Sequence, residues 1–245
     1  MSTILSQITD AVAHRRKLFA LLIDPEKCSL QRLQTVAEAA AIAQPDLILV
    51  GGSQLRQSTE QAIEVIKTVC QQPVVLFPGN VEQLASNADA LLLLSLLSGR
   101  NAEWLVGQQV RAARCIHNLQ IEVLPTGYIL IDGGKTTAVQ RVSQTQPIAA
   151  DDIDLAVDTA LCGEQAGKKL IYLEAGSGAV RPVAAATISA VKKMISVPLI
   201  VGGGITSVEA LHQAYAAGAD MVVVGNHLET HLDDLAAFVR VAREF

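Results

Sequence analysis

Tyr172-Leu173-Glu174-Ala175-Gly176-Ser177-Gly178 follows the apolar pair Leu170-Ile171 and leads into a helix-like stretch. It sets one carboxylate at the end of a short apolar run, beside a Gly/Ser turn whose backbone N–H groups can face an anion. Two turns of the same kind follow, Val201-Gly202-Gly203-Gly204-Ile205 and Val224-Gly225-Asn226, each closing a buried-looking strand. Glycine at a single strand end often serves only to turn the chain. Three successive ones, late in a chain of alternating strands and helices, converge on one small volume. They predict a phosphate site at the carboxyl end of a (β/α)8 barrel. Ser177 adds a hydroxyl, and Ser207 opens a helix whose N-terminal dipole favours negative charge.

Outward from these turns, β-then-α order recurs along the chain. Strands are predicted at 17–24, 46–52, 73–77, 90–97, 120–131, 169–173, 198–201 and 220–224, with the fifth broken at Pro125. Helices are predicted at 29–44, 54–71, 102–119, 152–166, 183–195, 207–217 and 232–244, the first capped by Ser29. Only residues 80–88 separate the third and fourth strands, so the third helix of the ring is expected to be shortened or missing. The polar interval 132–150 has no strong periodicity, and loops of that length are usually functional. The fold class expected is α/β, a single TIM-type barrel domain over residues 1–245. An open doubly wound sheet is the alternative, disfavoured because the glycine turns cluster after strands six, seven and eight.

Half of the residues are hydrophobic and 18% are charged, which excludes a disordered chain and suits strands buried on both faces. Net charge is −5 with no basic block, so nucleic acid is an unexpected partner and an anionic substrate needs local help. Cys28, Cys70, Cys115 and Cys162 are scattered without a C-x-x-C pair, as for reduced thiols in a cytoplasmic protein. No signal core is visible, and the run 90–97 is too short to span a bilayer.

Asp24 ends the first strand before Pro25. An acidic residue there is more often catalytic or metal-binding than structural, although Asp-Pro also starts turns. Ser53, at the end of the second strand, is either a simple cap or its neighbour in a foothold for Mg²⁺, with substrate oxygens and water completing the shell. Glu174 beside a phosphate turn is electrostatically awkward for binding alone. A general-base role justifies its place better than pairing with Lys169 or Arg181. His227 and His231 lack the H-E-x-x-H order and a third ligand, so a zinc site is not expected. Gly133-Gly134-Lys135-Thr136 lacks the upstream glycine of a nucleotide-binding loop. Trp104, the sole tryptophan, either packs a helix or lines a groove left open by the stunted third helix.

Taken together, Leu22-Ile23-Asp24-Pro25-Glu26-Lys27, Val50-Gly51-Gly52-Ser53, Leu76-Phe77-Pro78-Gly79-Asn80 and the three glycine turns resemble the geranylgeranylglyceryl phosphate synthase family, which includes the bacterial heptaprenylglyceryl phosphate synthases. The resemblance implies a modified barrel with an irregular segment for its third helix. It implies an Mg²⁺-dependent prenyltransferase joining the C3 hydroxyl of sn-glycerol 1-phosphate to a polyprenyl diphosphate, geranylgeranyl diphosphate being the expected donor. Asp24 and Ser53 match the metal positions, and 172–178 with Gly203, Gly204, Gly225 and Asn226 match the glycerol phosphate site. Glu174 is then the base and Tyr172 orients the acceptor. Ile23 stands where one subgroup carries lysine, which points to the second subgroup. A homo-oligomer and peripheral membrane contact for the lipid product are also implied. A phosphoribosyl-sugar isomerase would need an acid/base partner at strand five, which is not evident. A non-catalytic phosphate-sensing barrel would not need Asp24, Ser53 and Glu174 together.

Overall fold

The computed structural model describes residues 2–52, 58–80 and 83–245. The chain begins with helix α1 (Ile4–Ala13) and then lays down β1 (Leu18–Ile23), α2 (Leu30–Ala43), β2 (Leu47–Val50), α3 (Thr59–Val69), β3 (Val74–Leu76) and β4 (Ala90–Leu96). It continues through α4 (Gln108–Leu119), β5 (Glu122–Leu130), α5 (Ala138–Ser143), α6 (Ile153–Gln165), β6 (Leu170–Glu174) and α7 (Ala185–Met194). The last elements are β7 (Leu199–Gly202), α8 (Val208–Ala217), β8 (Met221–Val224), α9 (Asn226–Thr230) and α10 (Leu235–Arg243). The eight strands are all parallel and close in sequence order, β8 returning to β1 through Leu18 opposite Met221 and Leu21 opposite Val224. This is the expected TIM-type barrel.

Period-two alternation divides each strand between two cores. Leu49, Val75, Leu92, Tyr128, Tyr172, Ile200 and Val223 fill the barrel interior, while Ile48, Val74, Leu91, Ile129, Ile171, Leu173 and Val222 pack outward against the helices. Each fully buried aliphatic side chain contributes about 1.5–3 kcal/mol. Helix α1 closes the lower end, with Ile4, Ile8 and Ala11 on the interior cluster. Its first N–H groups, on Ile4 and Leu5, donate to the Glu122 carboxylate at 2.6 and 2.9 Å, which ties the plug to β5.

Between β3 and β4 no α-helix forms among the described residues, as the short interval predicts. Pro125 does not break β5. Ladder pairing with β6 begins one residue later, at Thr126 opposite Leu170, so the missing N–H falls outside it; the Pro125 carbonyl still accepts from Lys169 N–H at 2.7 Å. The interval 132–150 holds α5, fixed by a capping box between Thr137 and Gln140. Its end is tied back by an isolated parallel bridge between Ile131 and Ile148. Helix α4 is preceded by a π-helical turn, Glu103–Gly107, within the predicted helix 102–119. No helix among the described residues is long and apolar enough to cross a membrane.

Candidate active site

The carboxyl ends of the strands open into one cavity of about 280 Å³. At one end lie the glycine turns. Ala175 N–H donates to the Gly202 carbonyl at 3.0 Å, and Gly176 N–H to Glu174 Oε1 at 2.7 Å, so both are consumed within the protein. The N–H groups of Ser177, Gly178, Gly203, Gly204, Gly225 and Asn226 have no protein acceptor among the described residues. These outward donors suit an anion with several oxygens. Gly203 has φ +84°, and a Cβ there would meet the Gly176 nitrogen at 2.6 Å as well as the Glu174 carboxylate. Only glycine lets the β7 turn pass beneath β6.

Of the run 172–178, Tyr172, Glu174, Gly176, Ser177 and Gly178 line the cavity. Leu173 and Ala175 belong instead to the outer core, because alternate residues of β6 face opposite sides. Gly203, Gly204, Gly225 and Asn226 line the same end. Asn226 Nδ2 donates to Ser177 Oγ at 2.8 Å, joining the turns after β6 and β8.

Glu174 is buried at the end of β6. Burial raises its pKa from 4.5 to about 7, against the opposing pull of the Gly176 N–H and the Tyr172 hydroxyl. Tyr172 is pushed well above its usual value, first by burial and then by the Glu174 charge. Its hydroxyl faces that carboxylate, yet makes no hydrogen bond of ordinary geometry and stands as an unpartnered buried group. The ring stacks on Phe77 at 5.6 Å and meets Tyr128 edge-on at 5.3 Å. Tyr128 also lines the cavity, and burial and the Glu174 charge raise its pKa too. Its signal in sequence is only its inward position on β5, level with Tyr172 on β6.

Asp24, at the end of β1, lines the opposite wall. Its Oδ1 accepts from Glu26 N–H at 3.2 Å, capping a 3-10 turn, so the turn-starting and cavity-facing readings both hold. A Cβ on Gly52 would stand 2.7 Å from the Asp24 carboxyl carbon, so glycine makes room for the group. Ser53 lies outside the described residues. Among those residues no cluster of three His, Cys, Asp or Glu is poised for a metal. A single hard carboxylate still suits an ion that keeps much of its water and draws further oxygens from a substrate. Lys27, the last residue of the stretch 22–27, and Glu229 also reach the cavity, and nothing in the residue type of either marks it in the sequence as part of the site.

The two histidines are otherwise engaged. Their rings stack at 4.6 Å, His227 Nε2 meets Asp234 Oδ2 at 2.7 Å, and His231 Nδ1 meets Thr230 Oγ1 at 2.8 Å. Among the described residues no disulfide links Cys28, Cys70, Cys115 and Cys162.

The cavity's other arm is apolar. Leu92, Leu94 and Leu96 line it from the inward face of β4, and Leu91 and Leu93 from the outward face. Both faces of one strand are reached because no α-helix follows β3 among the described residues. Leu84, Trp104 and Ile116 complete this arm, which gives Trp104 the groove-lining position.

Fold and site together define a TIM-type barrel whose rim joins an end lined by unpaired backbone N–H groups to an apolar slot through a buried carboxylate. The chain belongs to the PcrB family, whose model matches residues 10–242. It is similar to the geranylgeranylglyceryl phosphate synthase of Spirosoma linguale, 48% identical over 231 residues that cover 94% of this chain and 93% of that protein. The protein of the same name from Zunongwangia profunda is 45% identical, covering 94% and 98%. Among solved structures, the (S)-3-O-geranylgeranylglyceryl phosphate synthase of Thermoplasma acidophilum, in complex with its substrate sn-glycerol-1-phosphate, superposes with a TM-score of 0.94. It is 35% identical, and all of both chains is covered.

Proposed function

We propose that the chain is a prenyltransferase that joins the C3 hydroxyl of sn-glycerol 1-phosphate to C1 of a polyprenyl diphosphate, geranylgeranyl diphosphate being the expected donor. The observation that carries this reading is the single cavity, with outward N–H groups at one end, an apolar slot at the other and Glu174 between them. An isomerase of phosphorylated sugars has no use for the slot, and a phosphate sensor has none for a buried carboxylate with its pKa near 7.

The glycine turns hold the acceptor phosphate, which fixes the glycerol and presents its hydroxyl at high effective concentration. Tyr172, with its hydroxyl unpartnered, orients that hydroxyl. As the C1–O bond of the donor breaks, the acceptor oxygen forms the new C–O bond and its proton passes to the Glu174 carboxylate. Diphosphate departs with the electron pair of the broken bond. Asp24, with Ser53, would hold Mg²⁺. When bound, that ion supplies Lewis-acid stabilisation of the negative charge on the leaving group.

The test is incubation with radiolabelled prenyl diphosphate and sn-glycerol 1-phosphate, followed by lipid extraction. The expected result is a labelled ether lipid phosphate, lost in chelator and largely lost in Asp24→Asn. Absence of labelled lipid with both substrates and Mg²⁺ present would overturn the assignment; full activity in chelator would overturn the metal alone.

A further inference from the structure

Three carboxylates, Asp24, Glu174 and Glu229, line the cavity proposed to take a phosphate dianion and a diphosphate. The backbone donors at the glycine turns are neutral, and Lys135 Nζ stands 3.7 Å from where a Cβ on Gly178 would lie. Among the described lining residues one lysine or arginine is present, Lys27. Its placement is specific. Nζ lies 2.7 Å from Asn226 Oδ1, 3.2 Å from Glu229 Oε1 and 3.7 Å from Asp24 Oδ2. The 3-10 turn that begins at Asp24 carries it there, three residues along from that carboxylate. Asn226 is the residue that also bonds Ser177, so the ammonium is one hydrogen bond away from the turns after β6 and β8.

We infer that Lys27 is the side-chain cation that binds the acceptor phosphate, held ready for it by Glu229 and Asn226. The inference rests on the proposed acceptor site. An ammonium has three donors on a flexible stem. Lys27 can therefore exchange its bond to the neutral Asn226 oxygen for one to a charged phosphate oxygen, keeping Glu229, without any backbone movement. The exchange gains a charge-assisted bond in place of a neutral one. It also sets a positive charge between the dianion and the two carboxylates, Asp24 and Glu229, that would otherwise repel it. Asn226, released from the ammonium, keeps its contacts with Ser177, Nδ2 lying 2.8 Å and Oδ1 3.1 Å from the Ser177 hydroxyl.

The test compares wild type, Lys27→Met, Lys27→Arg and the exposed-surface control Lys193→Met, which makes the same change in net charge. Calorimetry measures binding of sn-glycerol 1-phosphate and of inorganic phosphate, and steady-state kinetics give KM for each substrate. Lys27→Met should weaken both anions by about ten- to a hundredfold, the range for a lost charge-assisted bond. Lys27→Arg should recover much of that loss, and Lys193→Met should match wild type. The acceptor KM should rise more than kcat falls and more than the donor KM rises. Unchanged phosphate affinity in a folded Lys27→Met protein, or a larger effect on the donor KM, overturns the inference. Should Lys27→Met fail to give a cooperative thermal transition, Lys27→Gln replaces it with the same criteria. Wild type that binds neither anion would overturn the acceptor site, and the proposed function with it.

Discussion

Burial and hydrogen bonding pull the Glu174 carboxyl in opposite directions, and burial prevails to leave it near 7. A carboxylate so placed can accept a proton during the reaction and surrender it to solvent afterwards. Glu174→Gln should lower kcat by about 10²–10⁴-fold, while calorimetry finds acceptor binding unchanged or tighter because a negative charge has left the phosphate's vicinity. Near-normal kcat would transfer the proton to another group. In wild type, kcat/KM should climb with pH to about 7 and then level, and that limb should vanish in the variant. Stability follows the same ionisation. The folded state holds the proton more tightly than the unfolded chain, whose carboxyl titrates near 4.5. Stability from this group is therefore full below 4.5 and is lost as pH rises to about 7. Glu174→Gln abolishes the loss, so at about pH 8 the variant should unfold at a higher temperature than wild type. Gly203 poses a steric demand instead. Gly203→Val puts a branched side chain at φ +84° and against the Glu174 carboxylate. Strain of about 1–3 kcal/mol is expected, read as a lowered melting temperature together with at least roughly tenfold weaker glycerol phosphate binding. Equal affinity in a folded variant would remove Gly203 from the acceptor site.

Among the elements, those with strong periodicity lie where the sequence predicts them. β6, α8 and α2 match within a residue or two, and Ser29 and Ser207 are the caps they promise. The gap after β3 was legible as simple shortness. Other elements are legible only in part. Helix α1 shows its apolar spacing at Ile4, Ile8 and Ala11, but only the closed barrel reveals that these residues plug an end. Helix α5 depends on its capping box and on the Ile131–Ile148 bridge, which pairs residues from opposite ends of a polar stretch without periodicity. The site divides in the same way. Strand-end positions such as Asp24, Glu174 and Gly203 declare themselves because the residue type is unusual there. Lys27 and Glu229 do not, because their meeting depends on how the turn after β1 lies against α9. The slot is an element-scale consequence, since with no α-helix after β3 among the described residues both faces of β4 reach one cavity. Trp104 stands along it on the π-helical turn. Trp104→Ala should shift the product profile when donors of graded prenyl length compete, by admitting longer chains. An unchanged profile would return Trp104 to packing.

Over the whole molecule, the barrel is open at one end and stoppered at the other. Helix α1 packs at that end against an interior cluster that includes Leu49, Leu92 and Met221. A polyprenyl chain bound as proposed would run sideways from the rim into the slot beside β4. Leaving that slot is a partition problem. Moving a tail of about twenty carbons from an apolar surface into water, at ~0.8 kcal/mol per CH₂, opposes exit by on the order of 10 kcal/mol. Chemistry at the rim is then expected to outpace departure into the aqueous phase. With purified protein alone, product should appear as a burst near one equivalent per site, followed by a slow phase. Phospholipid vesicles should abolish the slow phase while leaving the burst rate untouched. A steady rate indifferent to vesicles would mean that the tail is not held in the slot. On this prediction the bilayer would be the sink that regenerates the empty protein, and turnover would measure how often the rim meets a lipid surface.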